Sequence, residues 1–211
     1  MAATSRVDGR RERSRRTRAR IVHAAAQLFV ENGYVATTIE AIAERAEVAN
    51  QTVYYVFGTK AGVLTAVLEG SIVGDLDPVA LADRQWVETL ADVEDAAAAV
   101  DRLVAESVQV LVRVAPIYRV LQHAAADPDV GGLLEETRRR RRLDQRRLID
   151  VGVARWGLRP GLDAATAADV YYALINEDVF ESLTVDCGWE VEQFQQWATA
   201  LLQQQLLGVD T

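Results

Sequence analysis

The chain has 211 residues, half of them apolar, and a formal net charge of −8, so it can build a sizeable buried core and reads as globular. No apolar run approaches the roughly 18 residues a membrane span requires, and the Arg-rich N-terminus lacks the apolar stretch of a signal peptide, so the expected address is the cytoplasm with no membrane partner. One cysteine, Cys187, and two histidines, His23 and His123, exclude an internal disulfide and a zinc site, and no metal or other cofactor is expected.

The net charge hides an asymmetry. Residues 1–62 carry ten basic and six acidic side chains, whereas 63–211 carry thirteen and twenty-five. Such block separation assigns the N-terminal end to a polyanion and the remainder to something else. Eight arginines lie between Arg6 and Arg20, and residues 1–17 are expected to form a basic, unstructured arm that either stays solvated or follows nucleic acid.

Apolar residues recur at spacings of three and four almost throughout, and the alternating β-branched runs of strands are missing, so the expected class is all-α. Ile21, Ala25, Leu28 and Phe29 line a first helix that closes at Asn32-Gly33, where glycine can take a left-handed conformation. Thr37 or Thr38 offers an N-cap for a short second helix carrying Ile42, Ala43 and Ala46. A third helix of about two turns starts near Ala49-Asn50 and ends at Gly58. Thr59 introduces a fourth, with Val63, Leu64, Val67 and Leu68, running to about Gly74. Asp75 to Leu90 reads as an irregular connection with Trp86 tucked inward.

In the second half, Asp92 is expected to cap a helix reaching Arg113, and Pro116 to break it. A shorter helix spans about 116–126, and Asp127-Pro128 opens the next, which continues to Trp156. Asp163 caps a helix of about 164–184, and a last one covers about 190–207. The run "TRRRRRLDQRR" at 137–147 suggests a second nucleic-acid site, but its arginines spread round a helix three and four residues from Glu135 and Glu136, which is the pattern of an ion-paired, solvated face.

Three short helices followed by a longer one, with a tight turn at Glu47-Val48 before the third, have the arrangement of a helix-turn-helix unit whose third helix enters the major groove. With Val53 and Phe57 facing inward, Asn50, Gln51, Tyr54 and Tyr55 project to the other side. There amides can pair with base edges and phenols can reach methyl groups or phosphates, while Thr52 and Lys60 suit backbone oxygens. Tyr54 is also compatible with a partly buried core position.

The segment "RARIVHAAAQLFVENGYVATTIEAIAERAEVANQTVYYVFGTKAGVLTAVLEG", residues 18–70, resembles the DNA-binding domain of TetR-family transcriptional regulators. It has the Phe ahead of a Gly-Tyr, the Thr-Thr entering the second helix, an Ile-Ala-x-x-Ala, and a Thr-apolar-Tyr-Tyr-x-Phe-x-x-Lys ending. The resemblance implies a head over residues 18–62, with Asn50, Gln51 and Tyr54 nearest the bases and Thr38, Thr52, Tyr55 and Lys60 holding phosphates. Two positions depart from the family pattern. Ala49 stands where many relatives have a capping serine, so the cap is missing or Asn50 supplies it, and Val56 replaces a polar residue that commonly adds a phosphate contact.

The resemblance further implies that residues 63–211 form a helical bundle that dimerises and takes a small-molecule effector. The last two helices, about 164–184 and 190–207, are the expected homodimer surface: Val170, Tyr171, Tyr172, Leu174, Ile175 and Val179 on the first, Val191, Phe194, Ala198, Leu201 and Leu202 on the second. Polar or aromatic residues on otherwise apolar helices are the candidate effector contacts, namely Trp86, Tyr118, Gln122, His123, Tyr172 and Asn176. The expected function is a ligand-responsive repressor that binds a palindromic operator as a dimer. The rivals are a helical-bundle enzyme, whose paired Glu-x-x-His motifs are missing, and a small-molecule-binding or scaffolding protein with a non-functional DNA reader.

Overall fold

The computed structural model describes residues 2–73, 93 and 95–209, with side chains from residue 12 onward except that of residue 73; Trp86 lies outside them. The described residues are helical, without a strand: α1 (Ala2–Ala36), α2 (Ile39–Arg45), α3 (Asn50–Phe57), α4 (Lys60–Val73), α5 (Ala96–His123), α6 (Gly131–Trp156), α7 (Ala164–Leu174), α8 (Glu177–Glu181) leading into a π turn (Ser182–Asp186), and α9 (Val191–Leu207). No helix among them is long and apolar enough to cross a membrane.

The chain falls into two compact units, Met1–Leu76 with Pro116–Leu134 and Asp77–Ala115 with Glu135–Thr211. In the first, Ile21, Ala25, Phe29, Ile42, Val53, Val63 and Leu64 are fully buried. Burying a side chain of this size contributes about 1.5–3 kcal/mol, so this cluster holds the short helices α2, α3 and α4, which would be marginal in isolation, against α1. The second unit has its own core, built from Val104, Val108, Leu148, Ala167, Tyr171, Ile175, Phe180, Phe194, Ala198 and Leu202.

Several elements differ from the sequence expectation. The segment expected as an unstructured arm is helical from Ala2, because arginine is a good helix former and Glu12 pairs with Arg15 at 2.8 Å and Arg16 at 2.9 Å, at i+3 and i+4. The first helix still closes where expected, since Gly33 takes φ 77°, ψ 170° before one last turn. Pro116 does not end a helix but lies inside α5. Proline forfeits one backbone bond there, and the burial of Leu111, Val114 and Ala115 before it and Ile117, Tyr118 and Leu121 after it holds the helix continuous. The cap of α5 is Asp95, whose Oδ1 accepts the Ala98 N–H at 2.8 Å; the expected cap, Asp92, lies outside the described residues. Asp127 caps only a turn, accepting the Asp129 N–H at 2.9 Å, and α6 starts later at Gly131, where a Cβ would stand 3.0 Å from the Ala125 carbonyl oxygen.

The expected single helix 164–184 is interrupted. Asp163 caps α7 through the Thr166 N–H at 2.9 Å, but Asn176, with φ −148° and ψ 164°, restarts the chain as α8. Gln145 of α6 donates to the Ile175 carbonyl at 2.8 Å, supplying a partner at the break. The arginine run of α6 is ion-paired: Arg139 and Arg140 with Glu136, Arg142 with Asp169, Arg146 with Asp150, and Arg141 with the buried Glu177. The Glu136 carboxyl, hydrogen-bonded by Arg139 and Arg140, is held down at about 2.

Candidate nucleic-acid interface

The helix-turn-helix is set by local chemistry at four points. Thr38 caps α2, its Oγ1 accepting the Ala41 N–H at 3.1 Å. Thr37 turns the other way and is buried, donating to the Leu28 and Gly33 carbonyls at 3.0 and 2.8 Å, so the adjacent threonines divide between cap and core. The turn into α3 places Glu47 at φ 53°, the one non-glycine residue with positive φ among those described, and the Val48 N–H closes it on the Ala43 carbonyl at 2.9 Å. At the far end Gly58 takes φ 74° and its N–H returns to the Tyr54 carbonyl at 2.8 Å. Gly62 is equally constrained, because a Cβ there would collide with the Phe57 carbonyl oxygen.

On α3, Val53 is fully buried and anchors the helix. Asn50 and Gln51 are exposed, Thr52 is half-buried, and Tyr54 and Tyr55 are 50% and 90% exposed. A tyrosine left nine-tenths in water has no core role, so the outward face of α3 is polar and aromatic. The first helical residue is Asn50 and the N-cap is Ala49, without a side-chain cap hydrogen bond. The alternative in which Asn50 caps the helix therefore does not hold, and its amide points outward with that of Gln51.

Lys60 stands differently from its expected phosphate role. Its ammonium donates to the carbonyls of Tyr34 at 2.8 Å, Thr37 at 3.0 Å and Val35 at 3.4 Å, and it lies 4.2 Å from the centroid of the Tyr34 ring. It ties the start of α4 to carbonyl groups leaving α1, where no helical partner remains. Burial and then the charges of Asp127 and Asp129 push the Tyr34 hydroxyl above its ordinary value, so the ring stays neutral beneath the ammonium. Sequence reasoning missed this brace and a second one, the Arg18 guanidinium 4.7 Å from the centroid of Phe57 at the end of α3.

The expected effector contacts are divided between the two units. Tyr118, buried, Gln122, half-buried, and His123, exposed, belong to the first unit; Tyr172 and Asn176 belong to the second. Tyr172 lies under the Arg141 guanidinium, 4.6 Å from its ring centroid. Asn176 uses its side chain on its own backbone, accepting from Val179 N–H at 2.9 Å and donating to the Ala173 carbonyl at 2.7 Å. The second unit does contain an apolar cavity of about 50 Å³, whose walls include Leu103, Ile149, Val153, Trp156 and Leu206. The apolar stripe expected at a dimer surface is partly internal as well: Phe194, Ala198 and Leu202 are fully buried within their own chain.

A buried anchor, a tight turn, and a short helix whose most exposed groups are polar and aromatic define a helix-turn-helix head. Residues 21–67 match the model of the bacterial regulatory proteins, tetR family. Over 54 residues the chain is 46% identical to the uncharacterized HTH-type transcriptional regulator YvkB of Bacillus subtilis (strain 168), a match covering 26% of this chain and 29% of that protein. It is this N-terminal segment that is similar to the DNA-binding part of tetR-family regulatory proteins. Among solved structures the chain's fold is similar to that of NalD, the secondary repressor of the MexAB-OprM multidrug efflux pump in Pseudomonas aeruginosa, with a TM-score of 0.67 at 24% identity over 92% of this chain and 98% of that one. It is also similar to the transcriptional regulator FadR from Bacillus subtilis in complex with stearoyl-CoA, with a TM-score of 0.64 at 18% identity over 87% and 96%. At these identities the likeness is one of fold.

Proposed function

We propose that this protein is a dimeric, ligand-responsive repressor whose head, about residues 18–62, reads a palindromic operator through the outward face of α3. Asn50, Gln51 and Tyr54 take the base edges; Thr38, Thr52 and Tyr55 take phosphates; Lys60 positions the head by bracing α1 against α4. The observation that carries the reading is the exposure of Tyr55 and Gln51 on a helix anchored by Val53.

Residues 63–211 serve as the dimerisation and effector domain. The homodimer forms through outward faces of α7, α8 and α9 that the protomer core leaves open, giving two heads for two half-sites about one turn of DNA apart. The effector is a small molecule taken in the second unit, where the cavity walled by Leu103, Ile149 and Trp156 supports a mainly apolar ligand. It releases DNA only by as much as it prefers the conformation that binds DNA poorly.

The test is a fluorescence-anisotropy titration against duplexes recovered by selection from a random-sequence pool. Gln51→Ala is expected to weaken the selected duplex by about 1–3 kcal/mol, or roughly 5- to 150-fold, and to relax one position of each half-site. Sedimentation of the complex should show two chains per duplex. A Gln51→Ala protein that selects the same sequence with unchanged affinity would refute the reading.

A further inference from the structure

Glycine is less favourable than alanine inside a helix, because the backbone gives up more conformational freedom there. Gly152 nevertheless stands within α6. It is not among the glycines of positive φ, so its backbone conformation does not require it. Nor does a close approach, since the nearest contact of a Cβ built there, outside the helix's own backbone, is Cε3 of Trp156 at 4.0 Å, an ordinary van der Waals distance. The space open to such a side chain is the apolar cavity of the second unit. Leu148, Ile149 and Trp156, three or four residues from Gly152 and so on the same face of α6, wall that cavity with it. Leu103, Leu148 and Ile149 are buried, whereas Gly152, Val153 and Trp156 are half-buried, so the cavity opens towards the end of α6.

We propose that Gly152 keeps this cavity open for the end of an alkyl chain, and that its missing side chain sets what the site accepts. That this ligand is the effector rests on the reading given above. The walls bring no charged side chain, and the Trp156 indole N–H is the one polar side-chain group among them. A charged or strongly hydrogen-bonding group would lose its water there without a replacement, while hydrocarbon gains by leaving water. Size narrows the class further. At about 50 Å³ the cavity is well below the roughly 150 Å³ that takes benzene, so a narrow alkyl end fits where a ring does not. A polar head on such a ligand stays in contact with water at the half-buried end, beside Gly152 and Trp156.

The experiment titrates the straight-chain primary alcohols butanol, hexanol and octanol into the full-length wild type, Gly152→Ala and Gly152→Leu. Binding is followed at the Trp156 indole N–H by NMR, and each protein alone is unfolded in urea. Wild-type affinity is expected to rise by up to about fourfold for each methylene that the cavity buries. Gly152→Ala should raise the unfolding midpoint, since it favours helix and fills empty space, and should bind octanol about fourfold more weakly for the one methyl it places in the cavity. Gly152→Leu should bind octanol more weakly by roughly tenfold or more, the worth of two displaced methylenes. If leucine overfills the cavity and lowers the midpoint, the alanine variant decides. A lower midpoint in Gly152→Ala, variants that bind octanol like the wild type, or a wild type whose affinity ignores alkyl length overturns the proposal. Octanol that binds as expected yet leaves the affinity for the selected duplex unchanged upholds the alkyl site and refutes only its ligand's role as effector.

Discussion

The ammonium of Lys60 sits 4.2 Å from the centroid of the Tyr34 ring while donating 2.8 Å to the Tyr34 carbonyl oxygen. One residue thus holds another by both its face and its backbone, across 26 positions of sequence. With Thr37 and Val35 as further acceptors, the ammonium directs a donor to each of three carbonyls. Its positive charge remains in the head, but as a fastener.

That geometry separates two effects of Lys60→Met, which keeps much of the apolar stem. Leaving these carbonyls without their charged donor is expected to cost about 1–3 kcal/mol, read as a lower midpoint in urea or thermal unfolding. The salt slope of DNA binding should stay as in the wild type. A slope lower by about 0.9 with stability intact would instead mean a lost phosphate contact.

Ala49 gives a prediction of opposite sign. It holds the extended N-cap conformation, φ −73° and ψ 145°, that a capping side chain requires, yet brings no oxygen to the amide groups at the start of α3. Ala49→Ser is expected to stabilise the head by about 1 kcal/mol, seen as a raised midpoint and slower amide exchange at Gln51 and Thr52. No gain in stability or protection would show that these amides already have a partner of equal worth.

Much of the head was legible in the sequence because its signals are local. Thr38 and Gly58 mark ends by their own chemistry, Val53 marks a buried face by its spacing, and the exposure of Asn50, Gln51 and Tyr55 follows from where Val53 points. The carbonyl contacts of Lys60 were missed because the acceptors lie 23 to 26 residues away, a relation no spacing rule encodes. Pro116 was misread for the complementary reason. Local propensity ends a helix there, but apolar side chains on both sides outweigh one lost hydrogen bond. The effector residues were least legible, since polar groups on apolar helices such as Asn176 serve backbone breaks as readily as ligands.

Asn176→Ala tests that last distinction. It removes the cap of α8 and the donor to the Ala173 carbonyl, and should destabilise the second unit by about 1–2 kcal/mol without ligand. Asn176→Ser restores an acceptor at the cap and should recover most of the loss in chemical denaturation. If both variants unfold like the wild type, the side chain is not what maintains the break between α7 and α8.

Tyr171 carries a pH dependence of definite sign. It is 1% exposed, and its hydroxyl lies 2.6 Å from Ser107 Oγ, which itself donates to the Leu103 carbonyl; the tyrosine is therefore the donor of the pair. Burial, partly offset by Ser107, pushes its ionisation up to about 12 from the ordinary 10.0. Above pH 10 the unfolded chain can release this proton while the folded chain still holds it, so the folded state loses stability as pH rises from about 10 towards 12. Tyr171→Phe should cost about 1 kcal/mol at neutral pH, because the Tyr171–Ser107 hydrogen bond goes while Ser107 keeps its carbonyl acceptor. The same variant should lose less stability than the wild type between pH 10 and 12, so the two unfolding curves, measured in urea at each pH, converge. Parallel curves over that interval would mean that Tyr171 ionises as freely in the folded protein as in the unfolded one, which a phenol closed inside the core beside Ser107 does not do.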